Sequence, residues 1–109
     1  MSFDPMAAAV DWLDAYRAGE IETILEMYAD DATVHCGCGS MKAPITGREG
    51  LHAYWTDRVR QFPASELDNL HPSDDGTLIT YVARHGVVSV VLTFDALGQI
   101  SSQTCGLSN

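Results

Sequence analysis

The sequence predicts an α+β domain in which three helices are segregated against one antiparallel sheet. Three observations predict it. Residues 1–63 hold three stretches with apolar side chains at helical spacing. From residue 64 onward, short β-prone runs alternate with turn signals. A chain of 109 residues has the length of one domain with one core, so 1–109 is read as a single unit.

Asp4-Pro5 supplies an N-cap and a first helical position, where the missing proline N–H costs nothing. Ala9, Trp12, Leu13 and Tyr16 then form an apolar stripe, and Gly19 supplies a stop. Ile21, Ile24, Leu25 and Tyr28 continue the helical period as a second short helix, which "ADDA" (29–32) breaks. A strand follows from Ala32 to about Cys36, then a loop rich in glycine that includes Pro44. A third helix after Gly47 carries Leu51, Tyr54, Trp55, Val59 and Phe62 and ends at Pro63. Strands are expected at 64–71, 77–85, 87–94 and 99–105, with turns at 72–76, 85–86 and 95–98. The run "VVSVVLTF" (87–94) is apolar at nearly every position, which predicts cover on both faces and hence a homodimer through the outer sheet face.

Charge narrows the function. Fifteen acids against six bases give a formal net charge of -9, which argues against nucleic acid, whose phosphates need a basic face, and against anionic membrane surfaces. No apolar run approaches the length of a membrane span, and "MSFDPMAAAV" lacks the pattern of a secretory signal. Three cysteines, two of them one residue apart, make a poor disulfide framework, so a reducing, cytoplasmic setting is expected.

The segments "GEIETILEMYADDATVHCGCGS" and "ITGREGLHAYW" resemble the nuclear transport factor 2-like superfamily, within it the ketosteroid isomerases and SnoaL-like polyketide cyclases. The resemblance is dense over 12–59; later strands agree in pattern more than in residues. It implies a cystatin-like cone, a strongly curved sheet wrapped on the helices around a mostly apolar cavity, in a homodimer. It also places the isomerase's general base at Cys36, its tyrosine donor at Trp12 and its protonated acid at Val90. Valine cannot donate to an oxyanion, and Trp12 offers one indole N–H in place of a phenol. Steroid isomerisation by the known mechanism is therefore not expected.

Other residues are weighed singly. Cys36 is a candidate nucleophile, but a reactive thiolate needs a cationic neighbour, and His35 points to the opposite face of a strand. A metal site would draw on His35, Cys36, Cys38 and Cys105. On a regular strand Cys36 and Cys38 would stand about 6.6 Å apart, wider than two thiolates each about 2.3 Å from one zinc. No metal and no cofactor are expected. Asp11, on the first helix, is the second catalytic candidate, set against a solvated helix face. Asp30 and Asp31 suit turn and capping work. His52, His71 and His85 suit exposed positions, and Arg48 a structural one. The resemblance implies cavity positions at Trp12, Tyr28 and Trp55 and puts Cys36 and Val90 at catalytic ones; Tyr16, Val34 and Thr104 complete the expected pocket.

Three functions remain open. The first is a domain binding a small apolar organic molecule, of unknown activity. The second is a SnoaL-like, isomerase-like or dehydratase-like enzyme acting on a cyclic ketone or polyketide-like substrate. The third is a non-catalytic dimerisation or interaction module. An inward carboxylate or histidine in an open cavity would favour an enzyme; an interior filled by Trp12 and Trp55 would favour the module.

Overall fold

A computed structural model describes residues 4–36, 45–61, 63–73, 76–83 and 86–107. Phe62, His85 and the segment 37–44 that contains Cys38 lie outside the described residues. The chain runs α1 (Pro5–Ala18), α2 (Ile21–Glu26), β1 (Tyr28–Cys36), β2 (Ile45–Thr46), α3 (Gly47–Gln61), β3 (Ala64–Ser73), β4 (Gly76–Ala83), β5 (Gly86–Phe94) and β6 (Ile100–Leu107).

Helix α1 begins and ends where its local chemistry dictates. The Asp4 carboxylate accepts hydrogen bonds from the Met6 and Ala7 N–H groups at 3.0 and 3.3 Å, satisfying donors that have no partner within the helix. At the other end Gly19 adopts φ 73°, and its N–H closes on the Ala15 and Tyr16 carbonyls. A left-handed cap of this kind favours glycine. Helix α2 is shorter than its apolar period predicts. Tyr28 leaves the helix and opens β1, where it pairs with Ile100. The Ile100 N–H also bonds the Met27 carbonyl at 2.8 Å, so long-range pairing ends the helix.

The sheet has six strands in the order β2-β1-β6-β5-β4-β3 and is open. Strands β3 to β6 form the expected antiparallel meander. Strand β1, however, lies parallel to β6, so the curved sheet is mixed rather than wholly antiparallel. The meander brings the chain back beside β1 in the same direction. Strand β2, in a stretch expected to be loop, pairs Thr46 with Thr33 and Ile45 with Val34. Register shifts in β1, β3 and at the Thr93–Phe94 step supply local bends. Asp30 and Asp31 lie within β1 at its shift rather than in a turn, both exposed.

Alternation along the strands sorts the two faces. Thr77, Ile79, Tyr81 and Ala83 of β4 and Val88, Val90 and Leu92 of β5 are buried against the helices. Edge strand β3 is mostly exposed, Leu67 at 42%, with Glu66 and Asp68 along it. Charged edges of this kind discourage further strand addition. Among the described residues no helix is long and apolar enough to cross a membrane.

Candidate functional site

The helices and the concave sheet face meet in a cluster of aromatic side chains. Helix α1 contributes Trp12 and Tyr16, one turn apart on one face. Helix α3 contributes Leu51, Trp55 and Arg58, again one face. Tyr28 enters from β1, Tyr81 from β4 and Gln103 from β6, all buried.

The rings meet edge to face. Trp12 lies 5.8 Å from Tyr16, 5.7 Å from Trp55 and 6.0 Å from Tyr81 between centroids. Tyr16 lies 4.9 Å from Trp55 and 5.5 Å from Tyr81. Each such pair contributes about 0.5–1.5 kcal/mol beyond the area it buries. Trp12 and Trp55 are both 0% exposed, so these rings fill the centre of the cone.

Two polar chains cross the cluster. The Trp12 indole N–H donates to the Tyr28 hydroxyl at 3.1 Å, and that hydroxyl donates onward to Gln103 Oε1. The Arg58 guanidinium donates to the Tyr81 hydroxyl at 3.1 Å and sits over the Tyr54 ring, 5.8 Å from its centroid. Arg58 is only 7% exposed. Burial disfavours its charge, but Tyr54, Tyr81 and Tyr16 outweigh that penalty and hold it above the ordinary arginine value. Burial, reinforced by Tyr81 and partly opposed by Arg58, lifts Tyr16 well above the ordinary tyrosine value. Tyr16 therefore stays a neutral hydroxyl and Arg58 a cation throughout the physiological range. The Trp55 indole N–H and the Thr77 hydroxyl are buried with no hydrogen-bond partner among the described residues. Such groups cost about 1–3 kcal/mol each when nothing accepts or donates to them.

Of the residues assigned to the pocket from sequence, Trp12, Tyr16, Tyr28, Val34, Trp55 and Val90 are all buried in this core. Thr104 is not; it is exposed, while Gln103 takes the inward position, because successive residues of a strand face opposite ways. Cys36 holds the register position opposite Cys105 on the neighbouring strand. Asp11 is exposed and lines a cleft of about 170 Å³ with Glu26, Met27, Phe94 and Ile100, outside the aromatic cluster. Among the described residues no group of three or more His, Cys, Asp or Glu side chains is placed to hold a metal ion.

Arg58, Tyr81 and Gln103 escape the sequence reading. Arg58 carried a signal: it stands three residues after Trp55 and seven after Leu51, a charge on the apolar face of its helix. Tyr81 and Gln103 carried only strand parity.

A cone of three helices in a curved sheet with a buried aromatic and polar interior is the architecture of the nuclear transport factor 2-like superfamily. The SnoaL-like domain profile (SnoaL_2) matches residues 9–100, and the chain belongs to that family. Its fold is similar to that of a SnoaL-like protein of unknown function from Burkholderia thailandensis, with TM-score 0.83 and 19% identity over 96% of this chain and 95% of that one. It is also similar to SalBIII, an epoxide hydrolase/cyclase-like enzyme of pyran ring formation in the polyether salinomycin. There the TM-score is 0.74 with 18% identity over 94% of this chain and 88% of the other. A comparison with curated protein sequences gives no match.

Proposed function

We propose that this SnoaL-like domain binds a small organic molecule in the interior of its cone, through aromatic faces and hydrogen-bond donors. The observation that carries the reading is the kind of polar group buried there. Among the described residues the buried polar and charged side chains on the helix-facing side are Arg58, Thr77 and Gln103, beside the hydroxyls of Tyr16, Tyr28 and Tyr81. None is a carboxylate or an imidazole. An interior with a cation, indole N–H groups and phenols suits an oxygen-bearing ligand, whose carbonyl or alkoxide accepts those bonds. Any chemistry it supports is polarisation of a ligand oxygen rather than proton abstraction by an aspartate. The mostly apolar pocket expected from sequence is accordingly read as aromatic walls with polar anchors.

The reading extends to a homodimeric, cytoplasmic domain. The half-buried apolar pairs on the outer face of β4 and β5 support the first, and the odd cysteine count the second. The enzyme reading, ring chemistry on a cyclic ketone or polyketide-like substrate, draws support from the likeness to a cyclase-like fold. The filled centre, with Trp12 and Trp55 at 0% exposure, favours a second reading, an interaction module with no ligand.

Thermal-shift screening separates them. Aromatic ketones, steroids and fatty acids are added in excess, and a ligand that binds the native state raises the melting temperature. Ketones and other oxygen-bearing rings should stabilise the protein. A flat response to the whole panel would leave only the interaction module.

A further inference from the structure

We infer that the cleft between α1, the end of α2 and the β5–β6 turn binds a small organic cation, an amine carried on a ring-sized apolar body. This site is separate from the aromatic interior of the cone. Its space is present in the structure: about 170 Å³, bounded by Ala8 and Asp11 of α1, Glu26 and Met27 at the end of α2, and Phe94 and Ile100 of the sheet. A cavity of about 150 Å³ holds a benzene ring, so one ring with a short substituent fits. Ile100 is buried and Met27 and Phe94 are half-buried, whereas Asp11 and Glu26 are exposed. The cleft therefore has an apolar floor and an acidic rim.

The rim decides the charge of the occupant. Asp14 and Glu22, on the same two helices, are paired with Arg17 and with Arg48 and His52. Asp11 and Glu26 form no ion pair with a described residue, and no described cation lines the cleft. A cleft lined by one sign of charge over low-dielectric walls concentrates ligands of the opposite sign. A bare metal ion suits it less. Calcium takes about six to eight oxygen ligands, and among the described residues no group of three or more His, Cys, Asp or Glu side chains is placed to hold an ion. The walls are also set in advance. The Asp95 carboxylate accepts from the Leu97 and Gln99 N–H groups at 2.9 and 3.0 Å, which holds the turn whose Gly98 and Gln99 line the cleft. The Ile100 N–H, bonded to the Met27 carbonyl at 2.8 Å, ties the exit of that turn to the end of α2. A pocket held in this way spares a ligand the cost of ordering it.

Binding of matched amines and alcohols tests the inference. Benzylamine and 2-phenylethylamine are titrated at low salt into the nitrogen-15-labelled native protein, alongside benzyl alcohol and 2-phenylethanol, and backbone amide shifts are followed by NMR. At least one amine should bind about fivefold or more tightly than its alcohol, the difference a partly exposed ion pair makes. The shifts should centre on Met27, Gly98 and Ile100, and added salt should narrow the preference. Asp11→Asn and Glu26→Gln change exposed side chains and leave the apolar floor in place. Together they should remove the preference for the amine without weakening the alcohol. Amines and alcohols binding alike would overturn the cationic ligand. Shifts centred elsewhere, or an undiminished preference in the double variant, would overturn the assignment to this cleft. Binding of none of these compounds at millimolar concentration would overturn the inference as a whole.

Discussion

Arg58 donates to the Tyr81 hydroxyl at 3.1 Å, joining the inward face of α3 to the buried face of β4. A buried guanidinium is tolerated only while polar groups surround it. Tyr81→Phe removes one of them and changes the packing little. Stability to urea should fall by about 1–3 kcal/mol. A loss within the ordinary scatter of surface substitutions would show that this contact contributes nothing.

The Trp12–Tyr28–Gln103 chain links α1, β1 and β6 through two consecutive hydrogen bonds. Groups in one network do not act independently. In a double-mutant cycle with Trp12→Phe and Gln103→Leu, the two losses should differ from additivity by about 0.5–3 kcal/mol. Equilibrium unfolding of the native protein and three variants measures the difference. Strict additivity would mean that Tyr28 transmits nothing between its two partners.

Much of this was legible in the sequence where the determinant is local. The Asp4 cap, the Gly19 stop and the stripe of α1 are each decided within a few residues, and all three appear in the structure. Tyr28 was misplaced because its helical spacing is outweighed by pairing with Ile100, far along the chain. The parallel β1–β6 pairing is likewise invisible to any window of sequence. Membership of the SnoaL-like family was readable from residues 19–55, yet the family does not determine the interior. Trp12, Trp55 and Val90, read from the sequence as pocket positions, are fully buried. Gln103 was exchanged for Thr104, a one-residue error that on a strand means the opposite face.

Tyr16 makes stability depend on alkaline pH. Its folded-state value is raised, first by burial and then by Tyr81, so the native state keeps a proton that the unfolded chain loses near pH 10. The stabilisation is fully present below that pH and is lost as pH rises beyond it, by about 1.4 kcal/mol per pH unit. Tyr16→Phe should reduce the slope of unfolding free energy against pH above about 10. An identical slope in native protein and variant would remove Tyr16 as its source.

Gly76 starts β4 opposite Thr93 of β5. A Cβ there would stand 1.8 Å from the Leu92 carbonyl oxygen and 2.8 Å from its carbon. Those are backbone atoms and cannot swing aside, so the end of the β4–β5 ladder must separate. Gly76→Ala should cost about 3 kcal/mol or more, at the high end for added volume at a packed site. Thermal unfolding monitored by circular dichroism measures it. A variant as stable as the native protein would show that the ladder end yields freely.

The outer face of the meander carries a patterned surface. Leu78 pairs with Val91 and Val82 with Val87, all half-buried, and between them Thr80 and Ser89 pair with their hydroxyls 3.3 Å apart. Two apolar pairs flanking one polar pair form a patch that is its own complement under a two-fold axis. The protein should therefore sediment as a dimer at micromolar concentration. Val91→Asp places a charge at the patch without disturbing the inward residues of β5, so it should sediment as a folded monomer with an unchanged far-ultraviolet spectrum. A native protein that is monomeric under the same conditions would refute the dimer. A Val91→Asp protein that remains dimeric would move the interface to another face.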